Sequence, residues 1–481
     1  MLNMLSKKLK RQLKLLERLF EGGSYRFADL EKILNCSSKT IKNDLLDIQS
    51  YANGINVKMD RKDGISVTIL PHVTEDYIYQ IIMNESIEYR YLEVILLNNY
   101  SDYLELADYL FVSESTLRRM AEKINRAIQK YGLEIQRLVK MMGDDQTITA
   151  LTVQFLMEKY QHFENAFSPS VCQLTYYLIQ TFIFENNLEE RAADLDPKEE
   201  QTLFFMVASK IVQIENGIEW NREINKDYSF TFKKVVEIGA TLPISNKILT
   251  EKRLKNIFEQ PFLIWLFELE SASLKKKDLT IQSVAEFIDE LENEYQMVCE
   301  EKKRILRKIN MTIQQRILPF TILYEKNQSI FKNIQPEIEK LRLKLKYRIN
   351  KNKRAQLIKK QFIDHFTKNI VEDILLYWPE LLREIEKNKQ VRALVVTNSP
   401  SKYNSYLIKK LEHQLGNRYE FIIKRTGPLS QHLIQRENID CIISNLTLNP
   451  RFSVPIFGIS IFPNTREIHN LIHFHQQLLR T

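Results

Sequence analysis

Leu5, Leu9, Leu13, Leu16 and Phe20 recur at helical spacing, with Lys7, Lys8, Lys10, Arg11 and Lys14 on the other faces and Gly22-Gly23 at the end of the run. This period predicts an amphipathic helix with a glycine stop. Phe27 to Leu34 predicts a short second helix and Asn35-Cys36-Ser37 a turn. Ser37 is a suitable N-cap for a third helix, whose inward stripe is Ile41, Leu45 and Ile48. Ile55 to Ile69, INVKMDRKDGISVTI, carries β-type residues on both sides of Asp63-Gly64, a strong hairpin signal. Three helices and a hairpin make a winged helix-turn-helix. A basic amphipathic helix can also lie on a membrane surface, but the capped helices and hairpin next in the chain favour the first helix of a small domain.

LEKILNCSSKTIKNDLLDI (Leu30 to Ile48) has an echo 76 residues later in LADYLFVSESTLRRMAEKI (Leu106 to Ile124). Phe27 corresponds to Tyr103, Leu30 to Leu106, Leu34 to Leu110, Ser37 to Ser113, Thr40 to Thr116 and Ile48 to Ile124. Tyr131 to Ile148 then predicts a second wing that turns near Gly143-Asp144. From Thr147 to Leu382 the pattern is helical and punctuated by Pro169, Pro197, Pro243, Pro261, Pro336 and Pro379. That length suits two helical bundles divided near Ser271 to Asp278. Beyond Lys389, the runs VRALVVTN, YEFIIKRT, IDCIISN and VPIFGISI alternate with helical patterns, as in a small parallel α/β domain. The expected fold is mainly α and multidomain. Its parts are winged helix-turn-helix modules over 1–72 and 73–150, helical bundles over 151–275 and 276–388, and an α/β parallel-sheet domain over 389–481.

Composition narrows the function. With 44 % hydrophobic and 27 % charged residues in 481, the chain has the texture of a globular protein of several domains, and no apolar run is long enough to span a membrane. The amino end lacks the continuous apolar stretch of a secretory signal, which predicts a cytoplasmic protein. Cys36, Cys172, Cys299 and Cys441 lie far apart, with no CxxC pair for zinc or redox chemistry. None of the 11 glycines falls in a GxGxxG or GxxxxGK pattern, which argues against a nucleotide-driven enzyme. No cofactor and no metal are expected; of His469, His473 and His475 near the end, the first two fall one turn apart on one helix face without an evident third ligand, which favours surface histidines. The net charge of +8 is uneven. Between Lys302 and Lys360 there are 18 Lys and Arg against 3 Asp and Glu, directly after the acidic stretch Asp278 to Glu301; the block can touch DNA, pair with that stretch or meet the acidic face of another subunit, and intramolecular or intersubunit pairing is expected. Residues 1 to 63 carry 13 basic and 8 acidic side chains. A polyanionic partner fits such a distribution.

In a helix-turn-helix the second helix enters the DNA major groove, so its outward face must be polar. In the first copy Ser38, Lys39, Lys42 and Asn43 point away from the apolar stripe; in the second, Ser115, Arg118, Arg119 and Lys123 point away from Leu117, Ala121 and Ile124. Thr40 and Thr116 are candidates for phosphate contacts, and Lys42 and Arg118 for base edges. Lys58, Arg61 and Lys62 would carry the first wing to the backbone or the minor groove. Double-stranded DNA is the expected partner, with modest sequence specificity and indirect readout.

SSKTIKNDLLDI, SESTLRRMAEKI, the helical regions and the VRALVVTNSPSKYNSYLIKKL opening of the last domain together resemble the Mga/AtxA family of global transcription regulators of Gram-positive bacteria, MafR-like members included. The resemblance implies that the two bundles are like phosphotransferase-system regulation domains (PRD-like), that the last domain is enzyme IIB-like, and that the protein forms a homodimer or higher homo-oligomer. It also implies a global activator role without catalysis, contacts with RNA polymerase, and control by phosphocarrier proteins through regulatory histidines. His365, between Phe362, Phe366 and Ile370, is the candidate in the second bundle; the first has no histidine between Ser168 and Ser271. The loop Thr397 to Ser401 lacks the nucleophilic cysteine of an enzyme IIB. The alternatives are a phosphotransferase-system component, opposed by that loop, and an RNA-binding antiterminator, opposed by the twice-repeated helical amino end.

Overall fold

The leucine stripe at the amino end is buried on one side of helix α1 (Lys7–Phe20), through Leu9, Leu13, Leu16 and Leu19. The computed structural model describes residues 2–20, 24–60, 64–71, 73–193, 195–218, 233–243, 253, 257, 279–314, 322–323, 331, 334–351, 363–387, 390–424, 429–448 and 452–478. They fall into two units, Met1–Lys275 with Met311–Glu325, and Lys276–Asn310 with Lys326–Thr481.

In the first unit α1 is followed by β1 (Ser24–Tyr25), α2 (Phe27–Leu34), α3 (Ser38–Tyr51), β2 (Ile55–Asp60) and β3 (Gly64–Ile69). The three strands form an antiparallel sheet in the order β1-β3-β2, with Val57 opposite Val67 and Asp60 opposite Gly64. Gly64 has φ 83, and a Cβ there would run into the Tyr25 carbonyl, so the hairpin needs glycine where β1 joins it. Gly22-Gly23 and Asp63 lie outside the described residues. Two helices intervene before the second copy, α4 (Glu75–Glu85) and α5 (Ile87–Leu97), and both pack on α8 (Asp145–Tyr160).

The second copy comprises α6 (Tyr103–Tyr109), α7 (Glu114–Ile128), β4 (Glu134–Gln136) and β5 (Lys140–Met142). Its wing corrects the sequence reading, because the strands turn at Arg137-Leu138 and not near Gly143-Asp144. Arg137 and Leu138 adopt φ 50 and φ 66, and the Leu138 carbonyl accepts from the Tyr91 hydroxyl at 2.9 Å. Gly143 instead marks the exit from β5, and Asp144 caps α8 by accepting from the Thr147 N–H at 3.0 Å.

Pro169, Pro197, Pro336 and Pro379 stand at helix starts, whereas Pro243 lies in a bend and Pro261 lies outside the described residues. In α10 (Pro169–Glu185) Pro169 follows the N-cap Ser168, and in α12 (Pro197–Glu215) Pro197 follows Asp196, which forms a reciprocal capping box with Glu199. The short α9 (Phe163–Ala166) stacks Phe163 on Phe204 of α12 at 4.9 Å between ring centres. Helices α11 (Glu189–Ala193) and α13 (Lys233–Gly239) complete the described helices of this unit before residue 276. The 150/151 boundary expected from sequence falls inside α8, and the bundle division expected near Ser271 to Asp278 lies outside the described residues.

The second unit opens with α14 (Leu279–Tyr295) and most of α15 (Lys302–Gln314), whose residues from Met311 on count with the first unit, and continues with α16 (Gln335–Lys351), α17 (Ile363–Tyr377) and α18 (Pro379–Lys387). The acidic α14 and the basic α16 pair through Lys344 to Glu294 at 2.7 Å and Arg348 to Glu286 at 3.2 Å and Glu290. Lys302 pairs with Glu292 at 3.1 Å and with Asp289. Part of the basic block is thus spent against the acidic stretch before it. The last region alternates β6 (Val391–Val396), α19 (Ser401–Leu415), β7 (Tyr419–Ile423), α20 (Gln431–Arg436), β8 (Cys441–Ser444), β9 (Ile456–Gly458) and α21 (Thr465–Leu478). Its sheet is parallel throughout, in the order β7-β6-β8-β9. Successive strand residues serve opposite cores: Ala393, Cys441 and Ile443 pack with Leu407, Leu411 and Leu471, whereas Leu394 and Ile442 pack with Ile434.

Candidate nucleic-acid interface

Each copy builds its recognition helix on the same N-terminal cap. Ser37 accepts from the Thr40 N–H at 3.4 Å and Ser113 from the Thr116 N–H at 3.3 Å, and in each the two hydroxyls lie 3.0 Å apart. The threonine hydroxyls therefore sit half-buried at the first turn, where helix N–H groups and the helix dipole favour an anion. The helix before each turn ends on a left-handed residue, Asn35 at φ 50 and Phe111 at φ 56.

Buried charges fix how the two helices are held. On α3, Asp44 is buried and accepts from Arg11 Nε at 2.5 Å and Arg11 Nη2 at 3.1 Å. That bond raises the arginine pKa further, although burial acts against it. Gln49 on α3 donates to the Val57 carbonyl at 2.7 Å, and 76 residues on, Asn125 on α7 clasps both backbone groups of Ile135. A side chain at the same point of each repeat thus joins recognition helix to wing. The two copies also touch, since the amino-terminal turn Leu2–Met4 packs on α7 with Met4 buried.

Among the candidate residues of the first copy, Lys39, Lys42 and Asn43 are exposed, and the Lys42 ammonium stands 5.3 Å from the centre of the Phe27 ring. Ser38 is half-buried, and both its N–H and its hydroxyl donate to Glu31 at 2.5 Å, which holds that carboxyl below its ordinary pKa. Lys58 is exposed on the wing strand β2, while Arg61 and Lys62 lie outside the described residues. In the second copy Ser115, Arg118 and Arg119 are exposed. Arg118 reaches back one turn to Glu114 at 2.6 Å, and Arg119 lies over the Ser115 carbonyl at 3.4 Å and the Thr116 hydroxyl at 3.2 Å. Such surface pairs are weak enough to exchange for a phosphate.

Lys123 departs from the outward placement expected for it. Its ammonium contacts Glu88 at 2.8 Å, with 32 % of the lysine side chain and 8 % of the glutamate exposed. The cause is α5, whose first turn covers that part of α7 and brings a nearly buried carboxylate to it. Sequence reasoning also passed over Arg137 and Lys140, exposed on the second wing. The alternation of polar Gln136 and Lys140 with apolar Ile135 and Met141 was the available signal. His365 stands in the first turn of α17, and its side chain lies outside the described residues. Cys441 is buried in β8 and its thiol is pushed well above the ordinary range, chiefly by burial. No helix among the described residues is long and apolar enough to cross a membrane.

Two paired modules that present hydroxyl-bearing and cationic helix faces define a helix-turn-helix regulator that binds DNA. Comparison with known families matches residues 6–61 to the M protein trans-acting positive regulator (MGA) HTH domain and residues 73–156 to the Mga helix-turn-helix domain. The chain is similar to a putative trans-acting regulator of Streptococcus pneumoniae serotype 4, at 24 % identity with 94 % of each chain covered. It is also similar to the capsule synthesis positive regulator AcpA of Bacillus anthracis, at 23 % identity over 59 % of each chain. Residues 6–61 and 73–156 are thus similar to Mga-type helix-turn-helix domains, and the chain as a whole is similar to regulators that carry such names.

Proposed function

We propose that the protein is an activator of transcription that grips duplex DNA with both modules at once. The observation that carries the reading is the repeated cap and strut: Ser37 with Gln49 and Ser113 with Asn125 set two recognition helices in the same local frame, with Lys39, Lys42, Asn43, Ser115, Arg118 and Arg119 on open surface. Ser38, Thr40, Thr116 and Lys58 serve the backbone, with Arg61 and Lys62 extending the wing. Lys123 has the lesser role of holding the module together. The name of one relative, a positive regulator, supports activation.

The helical regions over 151–275 and 276–388 are read as PRD-like control domains, and 389–481 as an enzyme IIB-like domain used for assembly into a homodimer or higher homo-oligomer. The parallel order β7-β6-β8-β9 supports the second assignment, and the absence of cysteine between Thr397 and Ser401 supports a docking role in place of phosphotransfer. His365 is the proposed acceptor of a phosphoryl group from a phosphocarrier protein. It follows Asp364, which contacts Lys346 at 2.6 Å and Arg342. Added phosphate charge beside that network would compete for its cations. RNA polymerase is the proposed partner at the promoter, and the cytoplasm the proposed compartment.

A salt-dependent gel shift on duplex DNA tests the reading with the full chain and its Lys42→Ala plus Arg118→Ala variant. The variant should lose about 1 to 3 kcal/mol of affinity for each base-edge contact removed, with a shallower slope of log affinity against log salt because two cations leave the DNA surface. An unchanged slope and affinity would refute it.

A further inference from the structure

Phe111 is the most exposed large apolar side chain among the described residues, at 88 %, and its backbone is held at φ 56. A bulky residue is rare in the left-handed region because its Cβ crowds the neighbouring carbonyl. The position is the left-handed residue that closes the carboxyl end of α6 just past its C-cap Leu110, and there the Phe111 N–H donates to the Asp108 carbonyl at 3.1 Å and the Val112 N–H to the Ala107 carbonyl at 3.0 Å. Glycine or asparagine is the usual occupant of such a cap. The first copy obeys that rule: its equivalent is Asn35 at φ 50, with the Cys36 N–H donating to the Glu31 carbonyl at 3.4 Å. Neither core packing nor backbone preference accounts for a phenyl ring in the second copy.

Its location does. Phe111 precedes the N-cap Ser113 by two residues and so stands at the end of α7 that carries Ser115 and Arg118, over which Arg119 folds back. In helix-turn-helix docking this amino-terminal end meets the base edges. We propose that Phe111 is a DNA-contacting residue whose ring packs on the 5-methyl group of thymine in the major groove, beside the cations of α7. Phenyl against thymine methyl is a recognised mode of direct readout. The cationic and hydroxyl-bearing surroundings favour a polyanion over a protein partner for the same ring. The inference rests on the reading of α7 as the groove-entering helix, and its test separates the two.

The full chain is titrated with a short A·T-rich duplex and with the same duplex carrying deoxyuridine for every thymidine. Burial of one methyl predicts that the wild type prefers the thymine duplex by about threefold to fivefold. Phe111→Asn, the residue of the first copy, should bind both duplexes at the weaker level while melting no lower than wild type, and Phe111→Gly should behave alike. The proposal is overturned if either variant keeps the thymine preference, or if the wild type has none while Arg118→Ala still weakens binding. Normal duplex binding by Phe111→Asn with loss of promoter activation in cells would also overturn it and assign the ring to a protein partner. If a combined Arg118→Ala and Arg119→Ala variant binds duplex like wild type, the groove-helix reading itself fails.

Discussion

Asn125 on α7 accepts from the Ile135 N–H at 2.7 Å and donates to the Ile135 carbonyl at 3.2 Å, so one amide side chain satisfies both backbone groups at the centre of β4. Ile135 is itself buried, and the clasp ties the second wing to the groove-facing helix. Asn125→Ala would leave a partly buried N–H and carbonyl without that partner, at a cost of about 1 to 3 kcal/mol. Asn125→Asp keeps the acceptor and loses the donor, so it should fall between the two. Urea unfolding of the three proteins reads the order, and amide exchange at Ile135 should accelerate most in the alanine variant. Equal exchange in all three would show that the wing is held by the hairpin alone.

That clasp was not legible in the sequence, although its host helix was. The capping serines, the apolar stripes of α3 and α7 and the first hairpin all follow from short-range chemistry, which a sequence displays directly: Ser37 and Ser113 cap because their hydroxyls reach N–H groups three residues on. The parallel strands of the last region were visible for a similar reason, as apolar runs between helical patterns. The second wing was misread because glycine was taken as the mark of the turn. The structure bends the chain at Arg137-Leu138, with Tyr91 pinning the turn from 47 residues away, and no local residue type announces that. Distance in sequence also explains Lys123, since polarity gives its side of the helix but not the presence of Glu88 from α5. The pairing of α14 with α16 was legible in outline as adjacent blocks of opposite charge.

The contact between Lys123 and Glu88 separates stability from binding. Glu88 also accepts from the Ser86 hydroxyl at 2.9 Å, so its carboxylate keeps one partner when the lysine is removed. Lys123→Ala should therefore cost about 1 to 3 kcal/mol, less than the loss of a wholly buried pair. Arg119→Ala, on open surface, should stay within about 0.5 kcal/mol of wild type in stability. Duplex affinity at fixed salt should show the reverse order, with the arginine variant the weaker binder once both are measured well below their melting temperatures. A Lys123 variant that folds normally and loses more affinity than the Arg119 variant would return Lys123 to the DNA surface.

The network around Arg342 in the second unit gives a dependence on pH. Asp364 is held below its ordinary pKa chiefly by the bond from Lys346, with Arg342 adding to it, and Glu339 is held low chiefly by Arg342. A carboxyl whose pKa is lower in the folded chain than in the unfolded one stabilises the fold above its unfolded value, and that contribution disappears as pH falls through the folded value. The groups are largely exposed, so salt will screen the effect. The informative quantity is the difference in melting temperature between wild type and Asp364→Asn, because other carboxyls titrate in both. Near neutral pH the wild type should melt higher. The gap should narrow as pH drops below about 4, the ordinary aspartate value, and close further down. At high salt the gap should already be small at neutral pH. A difference that grows on acidification would have the opposite sign and would mean that Asp364 is destabilised, not held, by its neighbours.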